Sequence, residues 1–562
     1  MCRYLIATAA LFLLGAGSFP ASAARAARPA PIDVQIVAFN DFHGNIESPP
    51  DVPTIGLADG TELKQRLGGV SALAAAVQRL RAGHKRTITV SAGDLIGASP
   101  LVSAYFLDEP TIDAMNAVGL SLNAVGNHEF DKGPNELTRM QRGGCQKYTT
   151  RIPCRLEPFG GARFSFLAAN VFDRSGATIF PGSAVRRFGP VRIGFIGMTL
   201  QGTGTLVTPA GVAGLTFADE AATANALVPK LKAAGADTIV LLIHQGAKAP
   251  TTFQQSGCEG IAGPIFDVMD KLDPAISVIV SGHTHYAYVC KLKRAGAERL
   301  LTSGGKYGYL VTDIRLKFDP RTHALRDSSA MNVPVRPELG GDPQIASLVK
   351  RYAEAAAPAA ARVVGRLRSP APKSETDEES PAGDLIADAQ LAATWPQSRG
   401  AADLSFTNAT GVRTGLQTQA DGTVTYGQIF AVQPFGNNLV VKSLTGAELK
   451  DLLEQQFKVE NGQPKLASML LPSSNFRFSY DLSRPEGQRI VSMTLDRKLI
   501  DAARRYRVTV NNFLASGGDG FSVFAREKDA QDSGLDLDAL EAYLGGNPAI
   551  VGGRVTRMET SR

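Results

Sequence analysis

The chain has 562 residues, with 59 Lys and Arg against 53 Asp and Glu for a formal charge of +6. A balance this mild, with basic residues scattered rather than clustered, leaves no footprint for a nucleic-acid polymer. The length exceeds what one hydrophobic core sustains, so two domains are expected. Beyond the N-terminus no apolar stretch approaches the roughly 20 residues of a membrane span, so stable membrane insertion is not expected.

The first residues read as an address. Arg3 makes a short basic start, 5–14 is apolar, and Ala21-Ser22-Ala23 offers a small-residue cleavage point, so 1–23 is expected to be a signal peptide and the mature chain periplasmic or secreted. Cys2 leaves with it. The remaining Cys145, Cys154, Cys258 and Cys290 form an even set in an exported chain, which favours disulfides. The favoured pairing is Cys145 with Cys154, closing a short loop, and Cys258 with Cys290.

In chain order, 32–39 alternates as a strand and ends at Asn40-Asp41-Phe42-His43; 87–90 leads to Gly93-Asp94, and 122–125 to Gly126-Asn127-His128-Glu129. Strand 238–243 then delivers His244, and 276–280 delivers Gly282-His283-Thr284-His285. Helical segments at 69–82 and 218–234 alternate with these strands, the pattern of a layered α/β domain over 32–335. A helical stretch from 343 to 356 sits in a connector, 336–362, expected to act as a hinge. A second α/β region fills 363–562.

Five of the seven histidines fall in the strand-end motifs. Ligands collect beyond the carboxyl ends of strands in open α/β sheets, so the motifs can converge on one cleft. Asp41 and His43 can reach one metal, Asp94 can bridge two, Asn127 offers a carbonyl oxygen, and His244, His283 and His285 offer imidazole nitrogens. Ligation by N and O without thiolate suits Zn, Mn, Co or Fe. Two divalent ions can polarise a phosphoryl group and turn a bound water into a nucleophile. His128, with Asp131 three residues on to orient its ring, suits protonation of a leaving-group oxygen.

This ordered set resembles the calcineurin-like metallophosphoesterase superfamily. The resemblance implies a four-layer α/β/β/α sandwich with a dinuclear site. Asp41, His43, Asp94 and His285 would hold one metal; Asp94, Asn127, His244 and His283 would hold the other; His128 and Asp131 would form a catalytic dyad. The second region narrows the likeness: Asn408 to Arg413, Gln433-Pro434-Phe435-Gly436-Asn437 and Asn512 to Phe521 resemble the C-terminal domain of secreted 5′-nucleotidases, UDP-sugar hydrolases included.

The residue types fit that role. Phe435 and Phe513 can clamp a base between their faces, Arg413 can fork onto a phosphate, Asp519 can accept from ribose hydroxyls, and Asn408, Asn437 and Asn512 offer amide contacts. Where relatives of the ectonucleotidase type carry an arginine, this chain has Glu378 and Glu379, with Arg366 or Arg368 as candidate substitutes. The resemblance implies a nucleotide phosphohydrolase of 5′-nucleotidase type. Rival readings are a UDP-sugar hydrolase or 2′,3′-cyclic-nucleotide phosphodiesterase on the same site, a thiosulfohydrolase-like enzyme, and a non-catalytic nucleotide-binding surface protein. Nothing in the sequence fixes an oligomeric state.

Overall fold

The computed structural model describes residues 30–149, 151–207, 211–376, 378–460, 462–526 and 530–558; the expected signal at 1–23 lies outside them. Strand Ile32–Phe39 is buried along nearly its whole length, as befits a strand with neighbours on both edges and cover on both faces. It runs parallel to Thr87–Ser91, with Gln35 opposite Thr87, and antiparallel to Leu310–Phe318. The parallel run continues through Leu122–Ala124 to Ser165–Leu167, and Leu325–Pro334 forms the far edge of this six-stranded sheet. A second six-stranded sheet sets Val191–Met198, Thr238–Ile243, Ile276–Ser281 and Ala297–Gly304 in parallel, edged by antiparallel Ser183–Phe188 and Ala287–Arg294.

The two sheets share an inner core that includes Val34, Ile36, Val90 and Leu122 from one and Phe195, Val240, Leu242 and Val278 from the other. Helices Val70–Arg81 and Glu109–Val118 cover the outer face of the first sheet, and Glu220–Ala233 with Ile265–Met269 covers that of the second. The result is the four-layer sandwich expected from the sequence. Helix Val70–Arg81 buries Val70, Leu73, Ala74 and Val77, a helical-period stripe, and carries Arg79 and Arg81 in its last turn where the dipole favours them. Asp219 starts Glu220–Ala233 by accepting from Ala222 N at 2.8 Å.

The connector behaves differently from a free hinge. Helix Pro343–Ala360 is capped by Asp342, which accepts from Gln344 N and Ile345 N at 3.0 and 3.1 Å. Its Ile345, Tyr352 and Ala356 complete the core beneath Val70–Arg81, and Tyr352 packs edge-on against Phe106 at 4.9 Å. The helix is therefore built into the first unit. The chain passes to the second unit immediately after it: Arg362 pairs with Glu541, and its carbonyl accepts from Tyr426 N at 2.8 Å.

The second unit holds a five-stranded sheet ordered Leu470–Pro472, Leu404–Asn408, Arg505–Asn511, Asn438–Thr445, Ala530–Leu535, and a four-stranded sheet that ends on Val555–Arg557. Helix Pro381–Thr394 is buried along most of its length in the core of this unit. Arg554, fully buried, clasps the C-terminal strand to that helix through Asp388 at 2.7 Å, while Glu379 accepts from Arg554 N and Val555 N at 2.7 and 3.0 Å. Of the acidic pair Glu378 and Glu379, Glu379 thus has a structural task.

Cys145 and Cys154 form the expected disulfide. Cys258 and Cys290 do not: both are thiols, and Cys290, buried in the second-sheet core, donates to Gly257 O at 3.6 Å. Burial and the neighbouring Cys258 raise the Cys290 pKa, so it packs as a small apolar group.

Candidate active site

All five motifs leave the carboxyl ends of strands, and each of those strands lies parallel to a neighbour in the sheets just described. Asp41, His43, Asp94, His283 and His285 adopt left-handed backbone, with φ of 50, 47, 49, 71 and 64°. Such conformations cost non-glycine residues on the order of 1 kcal/mol or more and persist where the surroundings over-determine them. The motif glycines provide part of that constraint. A Cβ on Gly93 would lie 2.7 Å from His244 Nδ1 and 2.8 Å from Gly126 N, and one on Gly126 would lie 2.2 Å from Asp94 Oδ1. The loops are pressed together too closely for any side chain there.

Three groups of acid and imidazole result: Asp41 with His43 and His285; His43 with Asp94 and His128; Asp94 with His244 and His283. Asp94 joins the two sides. His43 Nε2 lies 3.1 Å from His285 Nε2, and His285 Nε2 lies 3.4 Å from Asp41 Oδ1. On the other side His244 Nε2 lies 3.0 Å from Asp94 Oδ2 and 3.1 Å from Asn127 Oδ1, which is also 3.0 Å from His283 Nδ1.

The tautomers show what this arrangement wants. His43 Nδ1 faces Gly97 O and His244 Nδ1 faces Ala92 O, both at 2.9 Å, so these nitrogens donate and each Nε2 is the one turned inward to ligate. Bare nitrogens and carboxylate and amide oxygens then converge with no hydrogen between most of them. That donor set fits divalent cations. Burial lowers the pKa of His283 and His285 to about 4 and that of His43 as well, with Arg413 adding to the effect on His43 and His285, so these rings are neutral and ready to ligate. For His244, burial opposes charging, but Asp94 outweighs it and lifts the pKa to about 10, the mark of a ring nitrogen held against negative charge.

Glu129, the motif residue to which sequence reasoning gave no role, braces the site. Its Oε2 accepts from Asp94 N at 3.0 Å and Gly126 N at 2.7 Å; its Oε1 accepts from Leu95 N at 2.8 Å and Asn123 Nδ2 at 3.4 Å. Burial and the Asp94 charge push its pKa up to about 7, while the His244 charge and the bonds from Leu95 N and Gly126 N act against protonation. His128 N donates to Asp94 Oδ1 at 2.9 Å, and His128 Nδ1 lies 2.8 Å from Asp131 Oδ2. Burial opposes protonation of His128, yet the Asp131 and Asp94 charges raise its pKa overall, favouring imidazolium.

One cavity of about 430 Å³ spans both units. Asp94, Asn127, His128, Asp131, His283 and His285 line it from the first; Asn408, Arg413, Phe435, Asn437, Phe513 and Asp519 line it from the second. Phe435 stacks on His128 with ring centroids 6.0 Å apart and an interplanar angle of 20°. Arg413 lies over the Tyr307 ring at 5.4 Å, and its buried Nη2 has no hydrogen-bond partner. Asn408 Nδ2 donates to Asp519 Oδ2 at 2.8 Å. Gly518 is pressed under Phe513, where a Cβ would sit 2.5 Å from the ring.

Asn512 is not brought in: its Oδ1 takes Asn438 N at 3.2 Å, and neighbouring Asn511 lines the cavity instead. The shift follows from the start of helix Asn512–Ala515, which Asn511 caps. Arg366 pairs with Asp421 at 3.6 Å, and neither it nor Arg368 lines the cavity. Lys248 and Lys373 do, and sequence reasoning missed both. Only their loop positions carry that information, and no local pattern marks them.

Strand-end acid and imidazole clusters on a four-layer sandwich define a calcineurin-like phosphoesterase. Residues 34–287 match the calcineurin-like phosphoesterase model, and 358–526 match the 5′-nucleotidase C-terminal domain. The chain belongs to the 5′-nucleotidase family. It is 29% identical over 490 residues to the endonuclease YhcR of Bacillus subtilis, covering 86% of this chain but only 37% of that protein. It is 24% identical to a probable 5′-nucleotidase of Treponema pallidum, covering 92% of each. The crystal structure of a 5′-nucleotidase precursor from Thermus thermophilus superposes with a TM-score of 0.74 at 26% identity, covering 94% of this chain and all of that one.

Proposed function

We propose that this protein is an exported, metal-dependent 5′-nucleotidase that removes phosphate from nucleotides. The observation that carries this is the single cavity walled by the clustered acids and imidazoles on one side and by Arg413, Phe435, Phe513 and Asp519 on the other. Asp41, His43, Asp94 and His285 would hold one divalent ion, and Asp94, Asn127, His244 and His283 a second; Zn, Mn, Co and Fe all suit the set. Bound there, such ions supply positive charge to the phosphoryl oxygens and ionise water near neutral pH.

The chain's own residues do the rest. Arg413 Nη2, buried and unpartnered, grips a phosphate oxygen through its planar fork. Phe435 and Phe513 take the base, a sequence-tolerant contact worth on the order of 1–3 kcal/mol per base. Asp519, held by Asn408, receives the ribose hydroxyls. His128, fixed through Nδ1 by Asp131, has Nε2 left to give its proton to the departing 5′ oxygen. Export rests on the signal-like N-terminus and agrees with the Cys145–Cys154 disulfide. Among the described residues no helix is long and apolar enough to cross a membrane.

Lys248 and Lys373 on the same cavity favour, as a second reading, a substrate with a further phosphate such as a UDP-sugar. Phosphate release from the Mn- or Co-loaded protein against AMP, UMP, ADP, UDP-glucose, 2′,3′-cyclic AMP and a plain phosphate ester tests both. Turnover of AMP and UMP above the plain ester is expected. No turnover of any nucleotide would defeat the reading, and preference for UDP-glucose would install the second.

A further inference from the structure

The loop between helix Gly133–Arg142 and strand Ser165–Leu167 carries the Cys145–Cys154 disulfide. Inside its span, Arg151 reaches across the seam to the second unit. Its guanidinium lies 5.3 Å from the centre of the Phe430 ring, in helix Tyr426–Val432 of the second unit, and its Nη1 donates to Ala104 O at 2.5 Å. Ala104 ends the short helix Leu101–Ala104, whose Leu101 and Ala104 are themselves sunk in the core of the second unit. Arg151 therefore grips both sides of the seam at once.

The two ends of the disulfide loop are tied to the first unit. Cys154 N donates to Glu109 Oε1 and Oε2 at 2.9 and 3.2 Å, and Arg139 ties Glu109 to Gly144 O through bonds of 2.7 and 2.9 Å. Arg155 lies 4.1 Å over the Tyr105 ring beside the seam. On the other side, the helix that carries Phe430 ends at Val432, whose carbonyl accepts from Arg413 N at 2.9 Å, and Phe435 follows three residues later, stacked on His128. What Arg151 holds is thus joined rigidly to the residues that face the metal cluster.

We propose that Arg151, presented by the disulfide-closed loop, is a positioning residue that latches the two units in the closed arrangement that completes the cavity. A guanidinium over an aromatic ring with a donor to a carbonyl keeps its geometry only at one relative placement of the units. The consequence for turnover rests on the nucleotidase reading, but the latch itself is read without substrate.

Hydrogen exchange followed by mass spectrometry on the metal-loaded full chain tests it. In Arg151→Ala, amides of 101–107 and 426–432 are expected to exchange about thirtyfold faster, the scale of one lost cation–π contact and one charged hydrogen bond, while strand Thr238–Ile243 stays unchanged. Arg151→Lys keeps charge but not the planar fork and falls between. Phe430→Leu shifts exchange in the same direction, and the double variant exchanges more slowly than the product of the single effects. Reduction and alkylation of the Cys145–Cys154 bond produces the same local loosening. Unchanged exchange at both segments in Arg151→Ala, or fully multiplicative effects in the double variant, would overturn the latch. If Arg151→Ala does not fold, unchanged exchange in both Phe430→Leu and the reduced protein does so. With nucleotides, a latch lowers kcat/KM while leaving plain-ester turnover intact; absence of nucleotide turnover in the parent protein sinks the function and leaves the exchange result standing.

Discussion

Glu129→Gln isolates the brace behind the metal cluster. The carboxylate takes four donors, two on each oxygen: Asp94 N and Gly126 N on Oε2, Leu95 N and Asn123 Nδ2 on Oε1. Glutamine keeps the shape but can accept at one oxygen only. If that oxygen serves the shorter pair, the amide NH2 must face Leu95 N–H and Asn123 NH2, donor against donor, in a site only 3% exposed. Two hydrogen bonds to a charged group at about 1.5–3 kcal/mol each are lost, so about 3–6 kcal/mol is at stake. Part of this appears as stability and part as slackening of the loop that presents Asp94 to both metal positions. Loss of outer partners of metal ligands costs about 10–100-fold in affinity. Calorimetric titration of the metal-free protein with Mn(II) should show that drop, with a lower melting temperature. Affinity within twofold of the parent together with unchanged melting would refute the bracing role.

Three further outcomes follow from the second unit and the C-terminal clasp. Gly518→Ala puts a methyl carbon 2.5 Å from the Phe513 ring; the ring must move, so KM for nucleotides should rise about tenfold, in line with losing a base stack, with plain-ester kinetics as the control. Arg554→Ala strands the buried Asp384 and Asp388 carboxylates and should destabilise by about 3–5 kcal/mol, seen as a lower urea midpoint. Asp536 is buried, and desolvation raises its pKa to about 7. Its native pKa lies above the unfolded value, so the folded state binds the extra proton and stability falls as pH rises from about 4 to 7. Asp536→Asn should remove that slope and gain up to about 4 kcal/mol above pH 7, read by urea denaturation across pH; a parallel pH profile in both proteins would refute it.

The first unit was legible because its chemistry is local to strand ends. Each ligand-bearing motif follows an apolar strand directly, so periodicity and the residues after it place Asp41, His43, Asp94, Asn127, His244, His283 and His285 near one another without knowledge of distant contacts. Glu129 was visible within its motif, but its role depends on backbone donors from 94 and 95, which no spacing announces. The connector was legible only in part: an Ala-rich helix flanked by Pro reads as a linker, and its Ile345, Tyr352 and Ala356, spaced along one face, pack into the first unit's core, which leaves 361–362 as the crossover. Asn512 and Asn511 differ by one step in register, and which of them turns inward is decided by the helix that starts there. Cys258 and Cys290 show that an even cysteine count does not fix a pairing, since a buried thiol can meet its needs at a carbonyl.

The strain in the cluster and the division into two units answer the same requirement. Five left-handed backbones at Asp41, His43, Asp94, His283 and His285 together represent several kcal/mol that a relaxed chain would release. Glycine-to-backbone packing at 93 and 126 and the four bonds to Glu129 prevent that release without using any of the inward-facing ligand atoms. The ligands can therefore stay aimed at a cation even when their mutual repulsion, acid against acid and lone pair against lone pair, favours spreading. A site fixed this firmly cannot also move to admit and release a bulky substrate. Mobility has to come from the other wall, and the wall that carries Arg413, Phe435 and Phe513 is the one joined to the cluster through a seam and the 361–362 crossover rather than through a shared sheet. On this reasoning, substitutions at the seam should alter substrate entry while sparing metal affinity, and substitutions around Glu129 should do the reverse.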